Sequence, residues 1–254
     1  MRRRLSATCI VGVLLAATAP VAAAGEVLVA VAANFAGALE AIGAEFSEVT
    51  GHTIQVTTGS TGKLHAQISE GAPFQVLLSA DAATPAKLEE EGNAVTGTRF
   101  TYAVGRLSLW SADPDRSGDD PTAALTAADT LYVAIANPDL APYGVASRET
   151  LTSMGLWEEV QPKIVMGENI GQTFSMVDTG AAQVGFIATS AVLIPGEEPR
   201  GSRYDVPQGM FNPIRQVAVL LKPGESSAAA AAFLDYLKGD GAIAIAQSYG
   251  YGTE

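Results

Sequence analysis

Val27-Leu28-Val29-Ala30-Val31-Ala32-Ala33-Asn34 is an apolar run that stops at small residues and an amide. Its first five residues read as a buried β-strand, and Phe35, Leu39, Ile42 and Phe46 then fall at steps of four, three and four. That spacing is the stripe of an amphipathic helix, which Gly51 closes. The same passage from strand to helix recurs at residues 54–61, 131–143 and 163–170. The first four N–H groups of a helix have no partner within it, and the helix dipole adds partial positive charge there. Each junction is therefore a natural anion seat, and several seats converging would make an anion cage.

Working outward, residues 75–79 read as strand and 84–91 as helix, so the first part of the chain alternates strand and helix. Residues 103–110 form a longer strand-like run that leads into a loop rich in Pro, Gly and Asp over 112–121. A second alternating series occupies 131–136, 145–154, 163–166, 172–178 and 184–188. Near the end, 217–221 reads as a strand and 226–238 as an alanine-rich helix with Phe233, Leu234 and Leu237 on its apolar face. Alternation of this kind implies βαβ crossovers. The fold class expected is α/β in two lobes, each a mostly parallel sheet flanked by helices, with the ligand in the cleft between them. The boundaries expected are 25–105 plus 210–254 for lobe I and 106–209 for lobe II.

Arg2, Arg3 and Arg4 precede a mostly apolar stretch over 5–17, and Val21-Ala22-Ala23-Ala24 supplies the small residues of a signal-peptidase site. Residues 1–24 read as a secretory signal, its apolar run too short for a membrane span. Removing these 24 of 254 residues leaves a mature chain of 230, without the sole cysteine, Cys9, and with neither disulfide nor thiolate metal site. The chain has 15 basic and 27 acidic residues, and loss of the three arginines takes its formal charge from −12 to −15. So acidic a protein repels nucleic acid and anionic membrane surfaces, and any anion it holds must be met by close local donors.

The candidate donors sit at the four junctions. At the first, Ala33 precedes Asn34, whose amide can donate to an anion or simply cap the following helix. At the second, Thr57-Thr58-Gly59-Ser60-Thr61-Gly62-Lys63 combines glycines for close backbone approach with the Ser60 and Thr61 hydroxyls. A phosphate-cradling P-loop does not fit it, because Thr57 stands where the first Gly belongs and Leu64 where Ser or Thr belongs; a plain turn stays open. At the third, Ala141-Pro142-Tyr143-Gly144 offers the Tyr143 hydroxyl on a stiffened approach, or else a surface turn. At the fourth, Glu168-Asn169-Ile170-Gly171-Gln172 offers the backbone N–H of Ile170. Asp81, after Ser79-Ala80, is read as a helix cap, since its charge would repel an anion.

Catalysis requires more than the sequence supplies. Ser60 and His65 could be nominated as nucleophile and base of a hydrolase, yet nothing marks a third orienting group. His52 and His65 are the only histidines, and no helical His-Glu metal pair is present. The expectation is a binding protein, not an enzyme, with no cofactor.

Taken together, Val29-Ala30-Val31-Ala32-Ala33-Asn34-Phe35, Gly71-Ala72-Pro73 leading into Leu78-Ser79-Ala80-Asp81, Asn137-Pro138 with Ala141-Pro142-Tyr143-Gly144, Gly185-Phe186-Ile187 and Phe233-Leu234-Asp235-Tyr236-Leu237-Lys238-Gly239 resemble the periplasmic molybdate-binding proteins of ABC importers. These are type II solute-binding proteins, and the resemblance spans essentially the whole mature chain. It implies a molybdate or tungstate dianion held by neutral hydrogen bonds, with Mo or W present only inside the oxyanion and no side chain coordinating the metal. The family's site positions fall on Ala33, Asn34, Ser60, Thr61, Tyr143 and Ile170. The implied partner is a membrane permease, the implied state a periplasmic monomer, and the implied rival ligand sulfate or another small oxyanion. Two positions depart from many family members: Ala188 stands where they carry a ligand-binding Tyr, and Asn34 where they carry Ser. Asn34 and Tyr143 are expected to supply the donors instead.

Overall fold

The computed structural model describes residues 24–253; the segment read as a signal, with Cys9 in it, lies outside them apart from Ala24. Glu26–Ala32 forms β1, which pairs in parallel with β2 (Thr53–Gly59) on one side and β3 (Val76–Ser79) on the other. Alternation along β1 decides what covers each face of the sheet. Val27, Val29 and Val31 pack with Leu39, Ile42 and Phe46 of α1 (Ala36–Thr50). Ala30 turns the other way, toward Leu64 and Ile68 of α2 (Thr61–Ser69) and Leu88 of α3 (Ala83–Glu90). Full burial of each Leu, Ile or Phe contributes about 1.5–3 kcal/mol, so the stripe that marks α1 in the sequence also fixes it to the sheet. Gly51 stops α1 in the left-handed conformation, φ 74°, that a residue with a Cβ avoids.

The run 103–110 is divided in the structure. β4 (Phe100–Gly105) ends in the first sheet, Arg106 is exposed, and β5 (Leu107–Ser111) begins the second sheet. Hydrophobicity is continuous across the break, so nothing in the pattern shows that the two halves join different sheets. The chain returns after β9 (Ser202–Asp205), when β10 (Ile214–Leu220) enters the first sheet between β3 and β4, antiparallel to both. α8 (Ala228–Leu237) and α9 (Asp240–Ser248) then add Phe233, Leu234, Ala242 and Ala246 to the α1 side of that core.

The first sheet has the order β2-β1-β3-β10-β4. The second has the order β7-β6-β8-β5-β9, with β6 (Val133–Ala136) parallel to β7 (Ile164–Gly167) and β8 (Val184–Ala188), and β5 antiparallel to β8 and β9. Each sheet is thus mixed: parallel where strands alternate with helices, antiparallel at the crossing strand and its outer neighbour. α4 (Pro121–Thr126), α5 (Pro142–Ser153) and α6 (Trp157–Val160) cover one face through Leu125, Tyr143, Leu151 and Val160. α7 (Ile170–Asp178) covers the other, its Val177 against Trp110, Ala134 and Ile187. The apolar core of the second lobe also takes in Ala32, Ala80 and Ile214 of the first, so the lobes meet along a packed seam. No helix among the described residues is long and apolar enough to cross a membrane.

Candidate functional site

All six residues singled out from the sequence line one cavity in that seam. Ala32, Ala33 and Asn34 reach it from the end of β1, and Gly59, Ser60 and Thr61 from the end of β2. Ala80 comes from the loop after β3, Ala141, Pro142 and Tyr143 from the start of α5, and Asn169 and Ile170 from the start of α7. No charged side chain is among these twelve lining residues, and the cavity measures about 10 Å³, the space of a single water. Ala33, Asn34 and Ile170 also border a groove of about 570 Å³ that opens between α1 and α7.

The hydrogen bonds already made at the helix starts decide what these residues have to offer. In α2 the Gly62 N–H donates across the seam to Leu140 O at 2.9 Å, and the Lys63 N–H donates to Ser60 Oγ at 3.4 Å. In α5 the Gly144 N–H donates to Ala141 O, and Pro142 has none. In α7 the Gln172 N–H donates to Asn169 Oδ1 at 2.9 Å. The first-turn N–H groups of Thr61, Tyr143, Ile170 and Gly171 remain, and no intrahelical carbonyl can reach them. Ser60 Oγ accepts from Lys63 N–H, and Thr61 Oγ1 accepts from Ala80 N–H at 3.2 Å, so each hydroxyl keeps its own proton to donate. The arrangement is a neutral concavity of backbone and hydroxyl donors, suited to an anion.

Two of the expected roles change in the structure. Asn34 caps no helix: a 3-10 turn, Ala33–Phe35, intervenes before α1, and the caps are Ala32 and Phe35. Its amide Nδ2 donates to Gln216 Oε1 at 2.7 Å and to Tyr251 OH at 3.2 Å, which commits both amide protons behind the cavity. The Tyr143 hydroxyl also lies behind it, close enough to Gly105 that a Cβ there would come within 2.9 Å of Gln216 Nε2 and closer still to the hydroxyl. What Asn34 and Tyr143 present at the cavity is therefore backbone N–H. Burial holds the phenols of Tyr102, Tyr143 and Tyr251 above the usual phenol range, so all three stay neutral at any ordinary pH.

Asp81 lies one residue ahead of the N-cap of α3, Ala82, and its carboxylate accepts from Thr84 N–H in the first turn at 2.8 Å, a structural contact at the helix start. His65 Nε2 lies 3.1 Å from Glu91 Oε2, on the outer face of α2, so the structure pairs it with an acid and not with Ser60. Among the described residues no group of three His, Cys, Asp or Glu could hold a metal ion. Ala188 is buried and borders the groove beside Ser190. The sequence reading missed Gln216, Tyr102, Tyr251 and Ser190, which surround Asn34 from β10, β4, the C-terminal segment and the turn after β8. The available signal was Gln216 itself, an uncharged polar residue inside the apolar strand Ile214–Leu220.

The chain is 51% identical over 233 residues to the molybdate-binding protein ModA of Rhodobacter capsulatus, covering 92% of this chain and 90% of that protein. It is 46% identical to the protein of the same name from Azotobacter vinelandii, covering 92% of each. The solved structure of the Azotobacter vinelandii periplasmic molybdate-binding protein superposes with a TM-score of 0.86 at 38% identity, covering 90% of this chain and 99% of that one. The family model for bacterial extracellular solute-binding proteins matches residues 27–252, nearly all that the structure describes, and the chain belongs to that family.

Proposed function

We propose that this protein is the extracytoplasmic receptor of an ABC importer, capturing molybdate or tungstate as the intact tetrahedral dianion and delivering it to a membrane permease. It acts as a monomer in the periplasm after loss of residues 1–24, and it transforms nothing. The observation that carries this reading is the convergence of four strand-to-helix junctions, two from each lobe, on one cavity without a charged lining residue. Donors that are neutral and already oriented hold a dianion through charge-assisted hydrogen bonds, the stronger class, without introducing a competing charge. Lobe closure removes water from the seam and lowers the local dielectric, which strengthens each of those bonds.

A cage built only of donors also selects for protonation state. Hydrogen phosphate carries an O–H that needs an acceptor, and a wall of N–H and O–H groups leaves it unpaired. Sulfate is the closer rival, a dianion of the same shape and smaller size. The decisive experiment is isothermal titration of the mature chain with molybdate, tungstate, sulfate and phosphate in turn. The expected result is tight one-to-one binding of the first two, with phosphate silent and sulfate weak or silent. Tight binding of sulfate, or silence from all four, would overturn the assignment.

A further inference from the structure

β10 is buried along six of its seven residues, and Gln216, with no exposed surface, is the one uncharged polar side chain in it. Its position is marked by a break in the sheet. Gln216 pairs with Ala103 and Val217 with Thr101, so Tyr102 of β4 is the extra residue of a bulge. Bulges re-aim side chains, often beside functional sites, and this one brings the Tyr102 hydroxyl onto Gln216 Oε1 at 2.9 Å. The same oxygen accepts from Asn34 Nδ2 at 2.7 Å.

The other end of the Gln216 amide is unpaired. Among the described residues five buried side-chain polar atoms lack a partner, and three of them belong here: Gln216 Nε2, Tyr143 OH and Asn34 Oδ1. Gly105 makes room for this group, since any Cβ there would collide with both Tyr143 OH and Gln216 Nε2. The trio spans the seam, with Asn34 and Gln216 in the first lobe and Tyr143 in the second. The three atoms are complementary with the bonds above left in place: Gln216 Nε2 is a donor, the Tyr143 hydroxyl can accept from it, and that hydroxyl's own proton can go to Asn34 Oδ1, Gln216 and Asn34 being the two side chains that act on the Tyr143 phenol. Each orphan would then have a partner of the right kind.

We propose that Gln216 is a positioning residue for anion binding: from the strand that re-enters the first lobe it sets Asn34 in one lobe and the start of α5, through Tyr143, in the other. Gln216 does not line the cavity. Two of the four anion seats hang on it, and their relative placement is what lobe closure must get right. The remaining contacts around Asn34 tie into the same group. The Tyr251 hydroxyl donates to Asn34 O, and Ser190 Oγ donates to that same oxygen at 3.0 Å from the second lobe.

This inference rests on the oxyanion-receptor reading, and the test separates the two. Gln216→Met removes donor and acceptor at similar length, and Tyr143→Phe removes only the hydroxyl while leaving the backbone N–H at the cavity. Molybdate affinity is measured by titration for each variant, for the pair combined and for Thr61→Ala, with unliganded melting temperatures alongside. Each single variant is expected to weaken binding about tenfold, roughly the loss of one hydrogen bond. The double variant is expected to be no weaker than the worse single one, because both break the same contact, a non-additivity that general loosening of the fold would not produce. Unchanged affinity in both singles, or losses that multiply in the double, would overturn the role of Gln216; if Thr61→Ala still loses binding, the receptor reading stands without it. A wild-type chain that takes up no oxyanion would overturn both.

Discussion

In the first lobe the anion seats at the Ala33–Phe35 turn and at α2 add the hydroxyls of Ser60 and Thr61 to backbone N–H groups, whereas in the second lobe the seats at α5 and α7 present backbone alone. The second lobe's junction residues explain the difference. Pro142 has no donor, Tyr143 turns its hydroxyl toward Gly105, and Ile170 has no polar atom in its side chain. Hydroxyl donors can be tuned one residue at a time, while backbone donors are fixed by where the helix begins. On the proposed receptor reading, the first lobe offers the side chains that would adjust affinity, and the second a wall of backbone donors whose places are set by where its helices begin.

The largest effect on binding is expected from removing a donor of that wall. Ile170→Pro deletes one N–H at the first position of α7, where proline is tolerated, and Asn169 before it is already extended at φ −145° and ψ 171°. The helix is expected to persist by circular dichroism while molybdate affinity falls by about 3 kcal/mol, the upper end for a hydrogen bond to a charged group. Affinity within twofold of the parent would show that the second lobe contributes shape and no donor at this seat.

Thr61→Ala is expected to cost less, about 1.5–2 kcal/mol, because the Thr61 N–H and the Ser60 hydroxyl remain beside the vacated oxygen. Thr61→Ser, which keeps the hydroxyl, should restore most of the loss, and titration of the three proteins side by side decides it. If serine fails to restore affinity, the threonine methyl group and not its hydroxyl is what the cavity needs, and the contrast between the lobes disappears.

A smaller effect, about 1 kcal/mol, is expected at the seam itself. A Cβ on Gly62 would stand 3.2 Å from Leu140 O and 3.3 Å from Leu140 Cα, so Gly62→Ala must push the lobes apart by a few tenths of an ångström. It leaves every donor in place, and small-angle scattering with saturating molybdate should show a slightly larger radius than the parent. An unchanged radius and an unchanged affinity would mean that the seam is soft enough to absorb the methyl group.

Much of this arrangement is legible in the order of the residues alone. Strand-to-helix passages at Asn34, Thr61, Tyr143 and Ile170 leave a local signature, small or amide-bearing residues at the end of an apolar run, and local signatures survive in a sequence. What stays hidden is long-range. Arg106 carries no mark that β4 and β5 belong to different sheets, since the residues on both sides are equally apolar. The polar edge strand Ser202–Asp205 lacks the apolar run that would announce it. The roles of the Asn34 amide and the Tyr143 hydroxyl depend on Gln216, 182 and 73 residues away along the chain, and only the crossing strand makes them neighbours.

The smallest effect expected is at the ion pair between Lys63, in the first turn of α2, and Glu168, just before α7, which bridges the lobes beside the cavity. Both side chains are about half exposed, at 47% and 52%, and pairs of that kind contribute about 0.2–1 kcal/mol and fade with salt. Two mechanisms would give Lys63→Ala the same modest weakening: loss of a bridge that holds the lobes together, or loss of a positive charge that draws in the dianion. Glu168→Gln separates them, because it also breaks the bridge but leaves the cavity mouth more positive. Weakened binding in both variants, vanishing at high salt, marks the pair as a clasp; tighter binding in Glu168→Gln marks Lys63 as a guide for the incoming anion. In the second case the first lobe would supply the attraction as well as the tunable hydroxyls, and the asymmetry between the lobes would extend from holding the ligand to collecting it.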